Sequence, residues 1–244
     1  MTGTNPRYWA VVPAAGSGKR FSDVIPKQFF TLLGETIAQH TLSRLLSIPQ
    51  IEKIIVSCDT KMSEWQQVPA VDDGRLVLIS GGVERANSVL LGLEALNGEA
   101  NDNDWVLVHD IARPCITSGD VERLMSELER EPNGGILAAP VSDTLKVVTP
   151  EGTVERTENR EFFRAAQTPQ MFRYGLLKKA IKEMLASGQL PTDEAAAMEF
   201  AGRQVRIVEG RWDNLKVTRR EDLVIAEAVI KYQREELLET EREE

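Results

Sequence analysis

Cysteine is scarce in this chain of 244 residues: there are two, Cys58 and Cys115. A disulfide framework or a cysteine-built metal cluster needs more, so each is read as packing at a strand end. Long apolar runs are missing too. None approaches the roughly 18 residues that cross a bilayer, which excludes a membrane partner. The opening MTGTNPRYWA lacks the apolar stretch of a secretion signal. The expected setting is the cytoplasm, or the plastid stroma if the source is a plant and a transit peptide was removed. Positive charge is also in deficit, with 29 Lys and Arg against 38 Asp and Glu and a net charge of −9. That balance excludes a protein that coats nucleic acid. It leaves room for a small phosphorylated ligand held by a local group of cations. Residues 234–244 hold many of the glutamates and are expected to form the frayed, charged end of a terminal helix. With no internal repeat and no low-complexity linker, the chain reads as a single domain spanning residues 1–244.

Short apolar strands alternate with helical patterns. Strands are expected over 8–14, 53–58, 75–79, 105–109, 135–140 and 204–208. Helices are expected over 36–46, 84–96, 118–130, 174–187 and 192–200, and from Arg220 onward. This order predicts an α/β fold with a mostly parallel sheet and helices on both faces. Between Val141 and Gln170 the character changes. Residues 145–148 and 153–157 are short, polar and β-branched, with TPEG between them, a hairpin signal. The region 141–170 is therefore expected to be a β-arm inserted into the domain.

The stretch GSGKRFSDVIPKQ, behind the first strand, misses two familiar motifs. A P-loop needs Gly-Lys followed by a hydroxyl, but Gly18 and Lys19 are followed by Arg20. A dinucleotide fingerprint needs a third glycine where Phe21 stands. Pro26 disfavours helix at Ile25, so the loop runs on in extended form and delivers Lys27. Gly16 and Gly18 allow close approach of backbone N–H groups to phosphate oxygens. Lys19, Arg20 and Lys27 then form a cation group suited to a triphosphate whose α-phosphorus is attacked. A ligand-free tight turn beside a solvated basic surface is the alternative.

Other loops after strands repeat the theme. In SGGVERANS, Gly81 and Gly82 bring backbone close to a ligand. Arg85 and Ser88, three apart on a helix, share a side. The Ser88 hydroxyl either reads a base edge or faces solvent. In VLVHDIARP, Asp110 at a strand end is placed to hold magnesium with phosphate oxygens. His109 is read as packing and hydrogen-bonding under the loop, since nothing pairs it with a nucleophile. Arg113, held extended before Pro114, suits a bidentate phosphate contact. Thr144, Arg160, Thr168, Lys216 and Thr218 are further anion-binding candidates, and Thr192 to Glu194 put a hydroxyl and two carboxylates at a helix start.

Taken in order, PAAGSGKR, PKQF, SGGVERANSV, VLVHDIARP, APVSDTLK, QTPQMF, TDEAAAMEF and VEGRWDNLKVTRREDL resemble the 2-C-methyl-D-erythritol 4-phosphate cytidylyltransferase family over nearly the whole chain. The resemblance implies a Rossmann-like twisted sheet, with the inserted arm used for homodimerisation. It implies a cytidylyl transfer from CTP to methylerythritol phosphate, in the non-mevalonate route to isoprenoid precursors. Arg20, Lys27 and Lys216 would be the catalytic cations. Ala14, Ala15, Gly16, Ser17, Gly18, Lys19, Gly82, Ser88 and Asp110 would bind CTP, with Asp110 beside Mg2+. Asp110, Arg113, Thr168, Thr192 and Lys216 would line the acceptor site, joined by Thr144 and Arg160 from the partner's arm. Two positions depart from the family pattern: Ile111 stands where alanine is usual, and Val83 where an acidic residue is usual. An isoleucine side chain facing the nucleotide would crowd the sugar. The rival readings are a cytidylyltransferase for ribitol 5-phosphate or another polyol phosphate, and a non-catalytic nucleotide-binding regulator.

Overall fold

A computed structural model describes residues 6–16 and 25–243, with side chains through Glu236. In chain order the elements are β1 (Tyr8–Pro13), β2 (Thr31–Leu32), β3 (Glu35–Thr36), α1 (Ile37–Leu46), β4 (Ile51–Cys58), β5 (Leu76–Ser80), α2 (Arg85–Ala95) and β6 (Trp105–Val108). They continue with α3 (Ser118–Leu128), β7 (Gly134–Pro140), β8 (Lys146–Val148), β9 (Val154–Thr157), β10 (Arg164–Arg173), α4 (Tyr174–Ala186), α5 (Glu194–Phe200), β11 (Arg206–Glu209) and α6 (Asp222–Glu243). Seven strands form one sheet in the order β11-β7-β10-β6-β1-β4-β5. Every pairing is parallel except those of β10, which runs antiparallel to both β6 and β7.

The two-residue period of the strands sorts their side chains onto two faces. Ala10 and Val12 of β1, with Trp105 and Leu107 of β6, join one core with Leu42 and Leu45 of α1 and Leu124 and Leu128 of α3. Trp9, Val11, Val106 and Val108 point the other way, onto Val89 and Leu93 of α2 and Leu177 and Ile181 of α4. Burial on both faces explains why these strands read as continuous apolar runs. A third, smaller cluster ties α6 to β2 and α1 through Leu32, Ile37, Ala226 and Ile230. Helix starts are capped as their sequences suggest: Thr36 accepts from Gln39 N at 3.0 Å, and Asp193 accepts from Ala196 N at 2.9 Å. Asp193 is therefore the cap of α5. Among the described residues no helix is long and apolar enough to cross a membrane.

The strand that the sequence pattern hides is β10. Its residues RAAQTPQMFR contain a proline and a polar run, both signals against a central strand. The register resolves the conflict. Arg164 to Ala166 pair with Pro140 to Ala138, Gln170 to Phe172 pair with Ile136 to Gly134, and the ladder shifts between them. Pro169 sits in that bulge, after a cis peptide bond. Residues 164–170, expected to belong to the arm, are thus part of the main sheet. What remains outside it is the hairpin β8-β9, a separate two-stranded sheet, followed by one turn of 3-10 helix at Arg160–Phe162.

Candidate active site

The cleft opens where the carboxyl ends of β1, β5 and β6 meet, the position ligands take in open α/β sheets. Ala14, Ala15, Gly16, Lys27, Gly82, Ser88, Asp110 and Lys216 all line it, from five separate stretches of chain. Ser17, Gly18, Lys19 and Arg20 lie outside the described residues. Pro13 ends β1, and the Ala14 carbonyl accepts from Gln28 Nε2 at 3.0 Å. That contact folds the PKQ segment back over the strand end. Lys27 follows it into the cleft and donates to the Val217 carbonyl at 2.9 Å, which brings Lys27 beside Lys216. Lys27 opens a turn of 3-10 helix, Lys27–Phe29, and is not carried on an extended run as expected; residues 17–24 lie outside the described residues.

Gly81 and Gly82 are required by close approach. A β-carbon on Gly81 would overlap the Ala15 side chain, and one on Gly82 would overlap Asn87. The Ser88 hydroxyl accepts from Gly82 N at 3.0 Å and is buried. It does not face solvent; from the cleft wall it holds the glycine loop in shape. Ile111, the first departure, is 5 % exposed and belongs to the core cluster while also lining the cleft, and its carbonyl accepts from Thr41 Oγ1 at 2.8 Å. Val83, the second departure, is fully open to solvent at the rim.

Asp110 is the electrostatic centre. Arg85 Nε donates to its Oδ1 at 3.0 Å, and Lys216 Nζ meets its Oδ2 at 2.7 Å. Arg113 Nε lies 3.9 Å from Oδ2. Burial by itself raises the carboxyl. Arg85, then Lys216 and Arg113, outweigh it and hold Asp110 well below the usual carboxylate range. Asp110 is therefore held in its carboxylate form near neutral pH. Its backbone is fixed as well, since its N–H donates to Thr168 Oγ1 at 3.0 Å.

His109 is buried, with Nε2 3.3 Å from the Arg113 carbonyl and Nδ1 3.0 Å from Thr168 Oγ1. A carbonyl only accepts, so Nε2 carries the proton and Nδ1 accepts from the threonine hydroxyl. Burial pushes the ring down to about 4, which keeps it neutral. His109 is a strut under the loop, in agreement with its sequence reading. The Arg113 guanidinium is also committed to the fold. It donates to the Asn214 carbonyl at 2.6 Å and is 9 % exposed, so its contact is with protein and not the expected open fork. Thr168 is buried on Asp110 and His109, and Thr192 is exposed just before α5. Thr144 and Arg160 sit on the arm, exposed, and do not line the cleft.

Gln28 escaped the sequence reading, and Arg85 and Glu194 were picked out there only as loop candidates without a role. Glu194 is 2 % exposed and accepts a two-pronged contact from Arg85 at 2.7 and 3.0 Å. Both of its oxygens accept, so it is the carboxylate form. Burial raises Glu194 above its ordinary value, and Arg85 opposes that. Arg85 in turn is held more firmly charged, since Glu194 and Asp110 outweigh its own burial. The signals present in the sequence were the arginine of SGGVERANS and the acid pair of TDEA.

A mostly parallel α/β sheet with a cation-lined cleft beyond its strand ends defines an α/β protein with a site suited to an anionic ligand. The particular kind follows from its relatives. The profile of the 2-C-methyl-D-erythritol 4-phosphate cytidylyltransferase family matches residues 8–232. The chain is 45 % identical over 224 residues to a protein of that name from Pseudomonas fluorescens, covering 91 % of this chain and 95 % of the relative. One from Pseudomonas putida is 46 % identical over the same length and shares. The crystal structure of the Francisella tularensis cytidylyltransferase superposes with a TM-score of 0.79 at 33 % identity, covering 91 % of this chain and 99 % of that one. The Thermus thermophilus structure does so with a TM-score of 0.75 at 31 % identity, covering 92 % and 99 %. The chain belongs to the 2-C-methyl-D-erythritol 4-phosphate cytidylyltransferase family.

Proposed function

We propose that this protein transfers the cytidylyl group of CTP to 2-C-methyl-D-erythritol 4-phosphate. The products are 4-diphosphocytidyl-2-C-methyl-D-erythritol and pyrophosphate, in the supply of isoprenoid precursors. The observation that carries this reading is the pairing of the family match with one cleft that gathers Lys27, Lys216, Arg85 and an ionised Asp110. An oxygen of the acceptor phosphate attacks the α-phosphorus of CTP. The bond from that phosphorus to the bridging oxygen breaks in line, and pyrophosphate leaves with the electron pair. The attacking phosphate monoester is already ionised near neutral pH, so no general base is needed. The neutral, buried His109 is consistent with this. The barrier lies in bringing anions together, and fixed cations lower it.

Lys27 and Lys216 meet the reacting phosphates, with Arg20 assigned to the same task from the glycine loop. Ala14, Ala15 and Gly82 read the cytosine through their backbone, Ser88 by shaping that loop. The amides of residues 16–19 cradle the phosphates. Arg113, Thr168, Thr192 and Lys216 shape the acceptor side, Arg113 and Thr168 by fixing the loop that carries Asp110. Thr144 and Arg160 serve the site of a second copy in a homodimer, which accounts for their exposure here. Mg2+ would be held by Asp110, a hard carboxylate whose two oxygens here meet Arg85 and Lys216, together with phosphate oxygens of the substrate. Such an ion supplies charge neutralisation at the triphosphate. The setting is the cytoplasm, or the plastid stroma in a plant.

The test is a substrate panel. The pure protein is given CTP and magnesium with methylerythritol phosphate, ribitol 5-phosphate or no acceptor, and pyrophosphate release and product mass are measured. Rapid turnover with methylerythritol phosphate is expected. Preference for ribitol 5-phosphate would overturn the acceptor. No turnover with any acceptor, CTP binding being intact, would make the protein a regulator.

A further inference from the structure

The link from Glu194 to Asp110 crosses the molecule. Glu194 is the first residue of α5, and Arg85 is the first residue of α2, directly after the glycine loop. The start of α5 is itself pinned to the central strand β10. Gln170 Nε2 donates to Asp193 Oδ2 at 3.0 Å, and Gln170 Oε1 accepts from Ala195 N at 2.9 Å. Glu194 therefore has a fixed place. From there it grips both terminal nitrogens of Arg85, leaving only Nε for Asp110 Oδ1. The other Asp110 oxygen holds Lys216. The four groups form a chain of alternating charge, carboxylate to guanidinium to carboxylate to ammonium, whose buried end is Glu194.

We infer that Glu194 is a positioning residue for cytidylyl transfer: through Arg85 it sets the orientation of the Asp110 carboxylate and, beyond it, of Lys216. At 2 % exposure it cannot touch either substrate. A second consequence follows from the charges. With Glu194 ionised, the charge of Arg85 is neutralised and its fork is occupied, so Arg85 is not itself offered to the phosphates. Remove the Glu194 charge and the cleft becomes more positive but less ordered. A purely electrostatic role then predicts CTP binding as tight or tighter with turnover maintained. A positioning role predicts that turnover falls while CTP binding holds.

This inference rests on the proposed transferase activity, so the wild-type rate with CTP and methylerythritol phosphate is measured first. An inactive wild type counts against the activity and not against Glu194. Glu194→Gln keeps the shape and one acceptor, and Arg85→Lys keeps the charge but loses the fork. In each, kcat is expected to fall by about 10- to 100-fold with the KM for CTP unchanged or lower. The double variant should lose no more than the worse single, because both break one link. Glu194→Asp should recover part of the rate. Circular dichroism and thermal melts establish that each variant is folded. Folded variants with unchanged kcat, or with a loss confined to KM for CTP, would overturn the inference. So would failure of both single variants to fold, which would make the link structural only.

Discussion

The cleft and the arm are built in opposite ways. In and behind the cleft, Asp110, Ser88, Thr168 and Glu194 are all buried and hydrogen-bonded, and all but Ser88 meet a partner from a distant part of the chain. In the arm, β8 and β9 pair over three register positions, and Thr144, Arg160, Val148 and Val154 are exposed. Phe162 is 84 % exposed. The arm's contacts are local: Arg156 pairs with Glu155 and Glu158 on its own surface, and Arg160 donates to the Ser142 carbonyl. The difference teaches where preorganisation resides. The cleft is held by contacts that reach across one chain, whereas the arm is held by short-range contacts and leaves Phe162, Val148 and Val154 exposed.

The sharpest contrast is in turnover. Lys27→Ala is expected to lower kcat by about 10²-fold or more, the size of a lost transition-state contact. Steady-state kinetics will show it, and an unchanged kcat would remove Lys27 from its role. Thr144→Ala on the arm should act chiefly on the KM for the acceptor. Equal losses of kcat for the two would erase the distinction between a fixed and a borrowed contact.

Stability separates the regions next. Leu42 is fully buried between α1 and the sheet, so Leu42→Ala should cost about 2–5 kcal/mol in denaturant unfolding. Val154 stands on the exposed face of the arm, and Val154→Ala should stay within about 0.5 kcal/mol. A large loss at Val154, dependent on protein concentration, would show that the arm is buried against a second copy in solution.

Complementation asks whether the arm works on another chain. Lys27→Ala protein and Arg160→Ala protein, each impaired alone, are mixed after subunit exchange. A mixed dimer holds one site with both Lys27 and a partner's Arg160 intact. Random pairing then restores about a quarter of the wild-type activity. No recovery, with exchange demonstrated by mass spectrometry, would mean that Arg160 serves its own chain or none.

The two regions also differed in how far their sequences could be read. Strands such as β1 and β6 are apolar on both faces and announce themselves. The hairpin is equally plain from its β-branched residues around TPEG. Strand β10 was not legible, because Pro169 and its polar neighbours occupy a bulge that only the pairing with β7 reveals. The site was legible loop by loop: glycines and cations placed just after strands point to phosphate. Which cation meets which carboxylate was not, since local spacing says nothing about contacts such as Arg85 to Glu194, 109 residues apart, or Lys27 to Val217, 190 apart. Ser88 and Arg113 look like ligand groups in sequence because their types suit that use. The fold also employs them to hold a glycine loop and the Asn214 carbonyl, which their types do not reveal. The cytosine and the methylerythritol came from family resemblance, as no single residue type specifies them.

Thiol chemistry offers the finest measure of whether the arm is covered. Both native cysteines are buried, and burial pushes each thiol up to about 12. At pH 8 the reactive thiolate is then about 10⁻⁴ of each, so the native chain should be almost silent to an alkylating reagent. Phe162→Cys places one thiol at the most exposed apolar position of the arm. On a free arm it should react at the rate of a small-molecule thiol, whatever the protein concentration. On an arm laid against a second copy it should slow as the concentration rises through the dimerisation range, and speed up again on dilution. Rapid labelling at every concentration would leave the arm uncovered in solution, and the assignment of Thr144 and Arg160 to a partner's site would lose its physical basis.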